Sequence, residues 1–149
     1  MRAPIGGLFR HFHDLALAQA ELGAEVGIVC DSTRGDPDSD VALSRLQDSC
    51  SLGVTRIPMA RNPRLSDWRV YRRIAKIGRK LEVVVLHGNG AMGCAYARLA
   101  GNQLRMKNTK VVYTPLGGVI HYSPYSLSGK LYFKLERRLA RLSDDQRGA

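Results

Sequence analysis

A chain of 149 residues, 44% hydrophobic and 24% charged, has the composition of one folded domain and not of a disordered segment. Its net charge of +10 is uneven: 5 basic against 8 acidic residues over 1–60 give −3, and 18 against 5 over 61–149 give +13, so the second half points to an anionic partner such as nucleic acid, phospholipid head groups or a phosphorylated substrate. No apolar run approaches the roughly 20 residues that span a bilayer, "MRAPIGGLFRHF" lacks the apolar core of a secretory signal, and Cys30, Cys50 and Cys94 have neither disulfide-framework nor zinc spacing, which together suit a reducing cytoplasm.

From Gly7 to Leu22 the residues Leu8, Phe9, Phe12, Leu15, Ala16, Ala18 and Leu22 recur at helical spacing, and Gly23 supplies a stop. "AEVGIVC", 24–30, reads as a buried strand, and "DSTRGDPDSD", 31–40, as a loop whose Ser39 or Asp40 caps a helix over 41–49. A short strand over 53–59 leads into the "RNPR" turn. The shared face of Val70, Ile74, Ile77 and Leu81 then predicts a helix from Asp67 to Lys80. "EVVVLH", 82–87, is a strand, 91–104 a helix, "KVVYTPLGG", 110–118, a strand, and Leu127 to Leu142 a final helix. This alternation predicts one α/β domain over 1–149, a Rossmann-like, doubly wound parallel sheet. Its first, central strand is expected to be largely missing, because only Met1 to Pro4 precede the first glycine loop.

Gly88, Gly90 and Gly93 have the G-x-G-x-x-G spacing of a dinucleotide fingerprint. The ribose-binding acid expected about 20 residues later is absent: after Glu82 the next acid is Glu136. No nicotinamide or flavin cofactor is therefore expected. Two explanations stand: the glycines let a strand turn tightly into a helix, or backbone N–H groups at that helix N-terminus accept a phosphate. Three glycine loops, at 4–7, 87–93 and 114–122, are expected on the carboxyl edge of the sheet, where ligands bind in open α/β folds.

"APIGGLFRHFHDLALAQAELGAEVGIV", "VVVLHGNGAMGCAYARLAG", "VVYTPLGG" and "LYFKLERRLARLSD" resemble, in order, landmarks of nucleotide-sugar glycosyltransferase family 4, over about residues 3 to 144. The resemblance implies the N-terminal, acceptor-side half of a GT-B fold, moving a sugar from a nucleotide-sugar donor to a saccharide or lipid-linked acceptor with retention. It implies that Gly6 and Gly7 approach the donor diphosphate, that Arg10 or His11 faces the cleft, and that His87 serves as the catalytic-site imidazole. Gly88, Asn89, Gly90, Gly117 and Gly118 would line the same edge. The chain departs from the family pattern at Asn89, where relatives commonly have histidine, and at Leu116, also a histidine in relatives. The family's C-terminal nucleotide-binding domain does not follow "LSDDQRGA", so a truncated fragment, inactive alone, is expected.

"RNPRLSDWRVYRRIAKIGRK", 61–80, holds eight basic residues and reads either as a solvated helix face or as a surface for anionic lipid at the inner membrane face. Nucleic acid is disfavoured, because stacking aromatics are few. A non-catalytic binding module docking on anionic membrane or on a partner chain is the alternative function. His11 and His13 point to different sides of a helix, so no metal is expected. His121 and Tyr122 lie just beyond "TPLGG" and read either as acceptor contacts or as packed or solvated loop residues. Cys94 reads as a small core residue or as a thiol activated by a helix N-terminus.

Overall fold

The computed structural model describes residues 6–33, 35, 37–60, 64, 66–104, 108–114 and 127–141. The chain forms two compact units, Met1–Asp67 and Trp68–Ala149, of mixed α/β structure.

The first unit opens with α1 (Gly6–Glu21). Phe9 and Ala16 are buried along it, whereas Leu22 is 87% exposed. The apolar stripe is narrower than the spacing implied, because Ala18 and Leu22 lie roughly 140–180° around the helix from Phe9. Gly23 ends the helix at φ 85°, with its N–H donating to the Ala20 carbonyl at 3.0 Å and that of Ala24 to Gln19 at 3.0 Å. That paired closure is a Schellman turn, which glycine tolerates best. β1 (Ile28–Asp31), α2 (Pro37–Ser49) and β2 (Val54–Ile57) follow as a βαβ unit, the strands parallel from Ile28↔Val54 to Asp31↔Ile57. α2 begins four residues before the expected start at 41. Pro37 suits a first turn that needs no N–H, and Asp38 and Asp40 favour its positive end.

Phe9 and Ala16 of α1, Ile28 and Cys30 of β1, and Leu43, Leu46 and Cys50 of the α2 side share one core. Burial raises the pKa of the Cys30 and Cys50 thiols.

The second unit contains α3 (Asp67–Lys80), continuous from its boundary residue, then β3 (Val85–Asn89), α4 (Gly90–Leu104), β4 (Lys110–Thr114) and α5 (Leu127–Ala140). α3 has the expected bounds. β3 starts later than the expected residue 82 because the preceding residues close the helix. The Val83 N–H donates to the Gly78 carbonyl at 3.0 Å, and Glu82 takes a φ of 51°. β3 and β4 pair in parallel from Val85↔Lys110 to Asn89↔Thr114, with α4 as the crossover. Among the described residues the four strands form two parallel pairs rather than one continuous sheet. The largely missing first strand concerns residues 1–5, and the end of the expected last strand residues 115–118; both lie outside the described residues.

Candidate functional site

Alternation along β3 separates packing from polar chemistry. Gly88 faces α4: a Cβ there would stand 2.7 Å from the Cys94 Cα and 2.8 Å from the Ala97 Cβ. The same face carries Val111, against Gly101 of α4, and Tyr113, whose ring centroid lies 3.9 Å from the Arg98 guanidinium. The Cys94 thiol donates to the carbonyls of Gly88 at 3.2 Å and Thr114 at 3.5 Å. Cys94 is 1% exposed, so it sits in the core. Gly90 turns the chain from strand to helix at φ 69°, a conformation that disfavours a side chain.

The strand period of two puts His87 and Asn89 on the opposite face, together with Thr114, the register partner of Asn89. His87 is half-buried, and its Nε2 lies 2.7 Å from Thr114 Oγ1. Asn89 is 1% exposed, and among the described residues neither Oδ1 nor Nδ2 has a hydrogen-bond partner. Leaving such a group unsatisfied costs about 1–3 kcal/mol. The next residue opens α4, whose first turn carries no acidic side chain. The positive end of the helix thus adjoins an amide with donor and acceptor capacity to spare.

The sequence model of the glycosyl transferase 4-like domain family matches residues 6–145. The chain belongs to this family. Searches of curated proteins and of solved structures give no significant match.

In this glycosyl transferase 4-like chain the sequence-predicted site residues divide between the units. His87, Gly88, Asn89 and Gly90 end β3 and begin α4 in the second unit. Gly6, Gly7, Arg10 and His11 belong to α1 in the first; Arg10 and His11 are exposed, and among the described residues a Cβ on Gly7 would meet nothing within 4 Å. Gly117, Gly118, Leu116, His121 and Tyr122 lie outside the described residues. Among the described residues no cluster of three His, Cys, Asp or Glu side chains is placed to hold a metal, and no helix is long and apolar enough to cross a membrane.

Two buried charged residues stand out that the sequence reading did not select. Asp31, fully buried at the end of β1, accepts bonds from the N–H and Oγ1 of Thr33 and from the Met59 N–H, each at 2.9 Å. An acid closing an apolar run, with threonine two residues on, is an Asx-turn signal that points to it. Arg98 is 1% exposed against Tyr113, and nothing in its helical spacing marks it. A cavity of about 190 Å³ lined by Gly78, Glu82, Val83, Leu104 and Thr109 opens at the amino ends of β3 and β4, away from His87 and Asn89.

Proposed function

We propose that this chain is the acceptor-side half of a nucleotide-sugar glycosyltransferase acting with retention, and that His87, Asn89 and the head of α4 form part of its sugar-transfer cleft. The supporting observation is the unsatisfied, buried amide of Asn89 beside a helix N-terminus. A sugar hydroxyl donates one hydrogen bond and accepts others, which matches an amide offering both functions. A diphosphate matches the α4 N-terminus, where exposed N–H groups and the helix dipole favour negative charge. His87, held by Thr114, supplies an imidazole that hydrogen-bonds a hydroxyl or shares its proton. Asn89 does not titrate, so its share of recognition is independent of pH.

Family membership supports the transferase class. The two parallel βαβ units support the Rossmann-like reading. Saturation-transfer NMR with nucleotide sugars and free saccharides tests the proposal. Sugar protons should receive saturation from the native chain and lose most of it in Asn89→Leu. Equal transfer from both proteins, or none from the native chain with any of these ligands, overturns it.

A further inference from the structure

α3 carries six cations in fourteen residues, Arg69, Arg72, Arg73, Lys76, Arg79 and Lys80, and all six are exposed. At helical spacing they fall within an arc of roughly 120°, with Trp68 on its edge. Ile74, Ala75 and Gly78 are buried on the other side. Among the described residues none of the six lies within 4.0 Å of a carboxylate; the ion pairs found there are His13–Asp14 and Arg56–Asp40. A solvated helix face ordinarily interleaves acids with bases at i,i+4, whereas Arg69 and Arg73, or Arg72 and Lys76, are like charges at that spacing and weaken the helix. An anionic surface laid along the arc removes that repulsion.

Trp68 identifies the kind of surface. It is 45% exposed, with the guanidinium groups of Arg72 and Arg69 at 5.3 and 5.5 Å from its ring centroid. A single amphipathic indole amid cations is the composition that settles at lipid headgroup level. A single-stranded nucleic acid would call for several stacking aromatics, but Tyr71, the other aromatic of α3, is only half-exposed.

We propose that this face of α3 docks the chain on a membrane surface rich in anionic phospholipid, with Trp68 at headgroup depth. The proposal stands apart from the sugar-transfer reading, since it uses none of the strand-end residues.

Trp68 is the chain's one tryptophan, so its emission reports on this face. The full chain is titrated with vesicles of mixed phosphatidylglycerol and phosphatidylcholine and with vesicles of phosphatidylcholine alone. It should sediment with the first and not the second, with Trp68 emission shifting to the blue and quenched by brominated acyl chains. At about fivefold in affinity per cation, the triple variant Arg69→Gln, Arg73→Gln, Lys76→Gln should bind about a hundredfold more weakly. Removing the same charge from α5, as Lys130→Gln, Lys134→Gln, Arg137→Gln, should cost only a few-fold. Equal binding to both vesicle types, binding without a change at Trp68, or equal loss from the α5 variant overturns the proposal. So does displacement of the vesicles by an RNA oligonucleotide that itself shifts Trp68 emission to the blue.

Discussion

Asn89→Leu separates a ligand-binding group from a structural one. Asn89 is 1% exposed with both amide atoms unsatisfied, so the free protein carries a desolvation cost of about 1–3 kcal/mol there. Leucine keeps the branch at Cγ and replaces the amide nitrogen and oxygen with methyl groups, which removes that cost. Its slightly larger volume offsets part of the gain in a packed site. A net stabilisation of about 1–2 kcal/mol remains. At about 2–4 °C per kcal/mol for a chain of this size, the Tm should rise by about 2–8 °C. Trp68 lies in the same compact unit, so thermal unfolding followed by its fluorescence reads the right transition. The same variant should lose the stabilisation that a sugar ligand confers on the native chain. A fall in Tm of similar size would mean that Asn89 holds the fold together, and the argument from its unsatisfied amide would fail.

Asp31→Ala removes the acceptor for Thr33 and Met59 and should cost about 2–4 kcal/mol; an unchanged urea midpoint would contradict the structural role of the carboxylate. Gly101→Ala puts a Cβ into Val111, a β-branched side chain with little freedom to move, and should cost about 1–3 kcal/mol. Adding Val111→Ala should restore most of that loss, and additive losses in the double variant would refute the contact. Cys30 and Cys50 are buried thiols with raised pKa, so at pH 8 they should resist alkylation until the chain unfolds. Because unfolded thiols ionise first, stability should be fully present below their ordinary pKa and fall as pH rises through the raised folded values. A pH-independent urea midpoint across the alkaline range would refute this.

The elements were legible where local chemistry and periodicity agreed. α3 has the expected bounds because an acid opens it and Ile74, with Ala75 and Gly78, marks its inner face. β3 was displaced because its preceding turn places a glutamate, Glu82, at positive φ; turn chemistry usually marks that position with glycine, and no glycine stands there. The start of α2 was missed because Pro37 lies within a run rich in loop residues, where it also serves as a first helical residue. At the site, "HGNG" located His87 and Asn89 at a strand end, but the burial of Asn89 was not legible. Asparagine is mostly exposed, and what covers this residue is decided by tertiary packing. Arg98 escaped for a similar reason, since its contact with Tyr113 joins a helix to the next strand.

Gly88 and Gly90 each have a packing role in the register of β3. Gly88 meets α4 so closely that any Cβ would press on the Cys94 backbone, and Gly90 supplies the positive φ by which the strand becomes that helix. His87 and Asn89 alternate with these glycines and point away from α4. One four-residue stretch therefore sets the helix against the strand with its glycines and presents polar groups with the residues between them. Adjacent substitutions should separate the two duties. Gly88→Ala should cost at least about 1–3 kcal/mol, because the atom it strikes is backbone and cannot swing aside. Asn89→Leu should leave the fold as stable or more so and remove ligand recognition. If both variants lost stability alike, measured by the same Trp68-detected unfolding, packing would account for the whole motif and the strand end would have no claim to be a binding site.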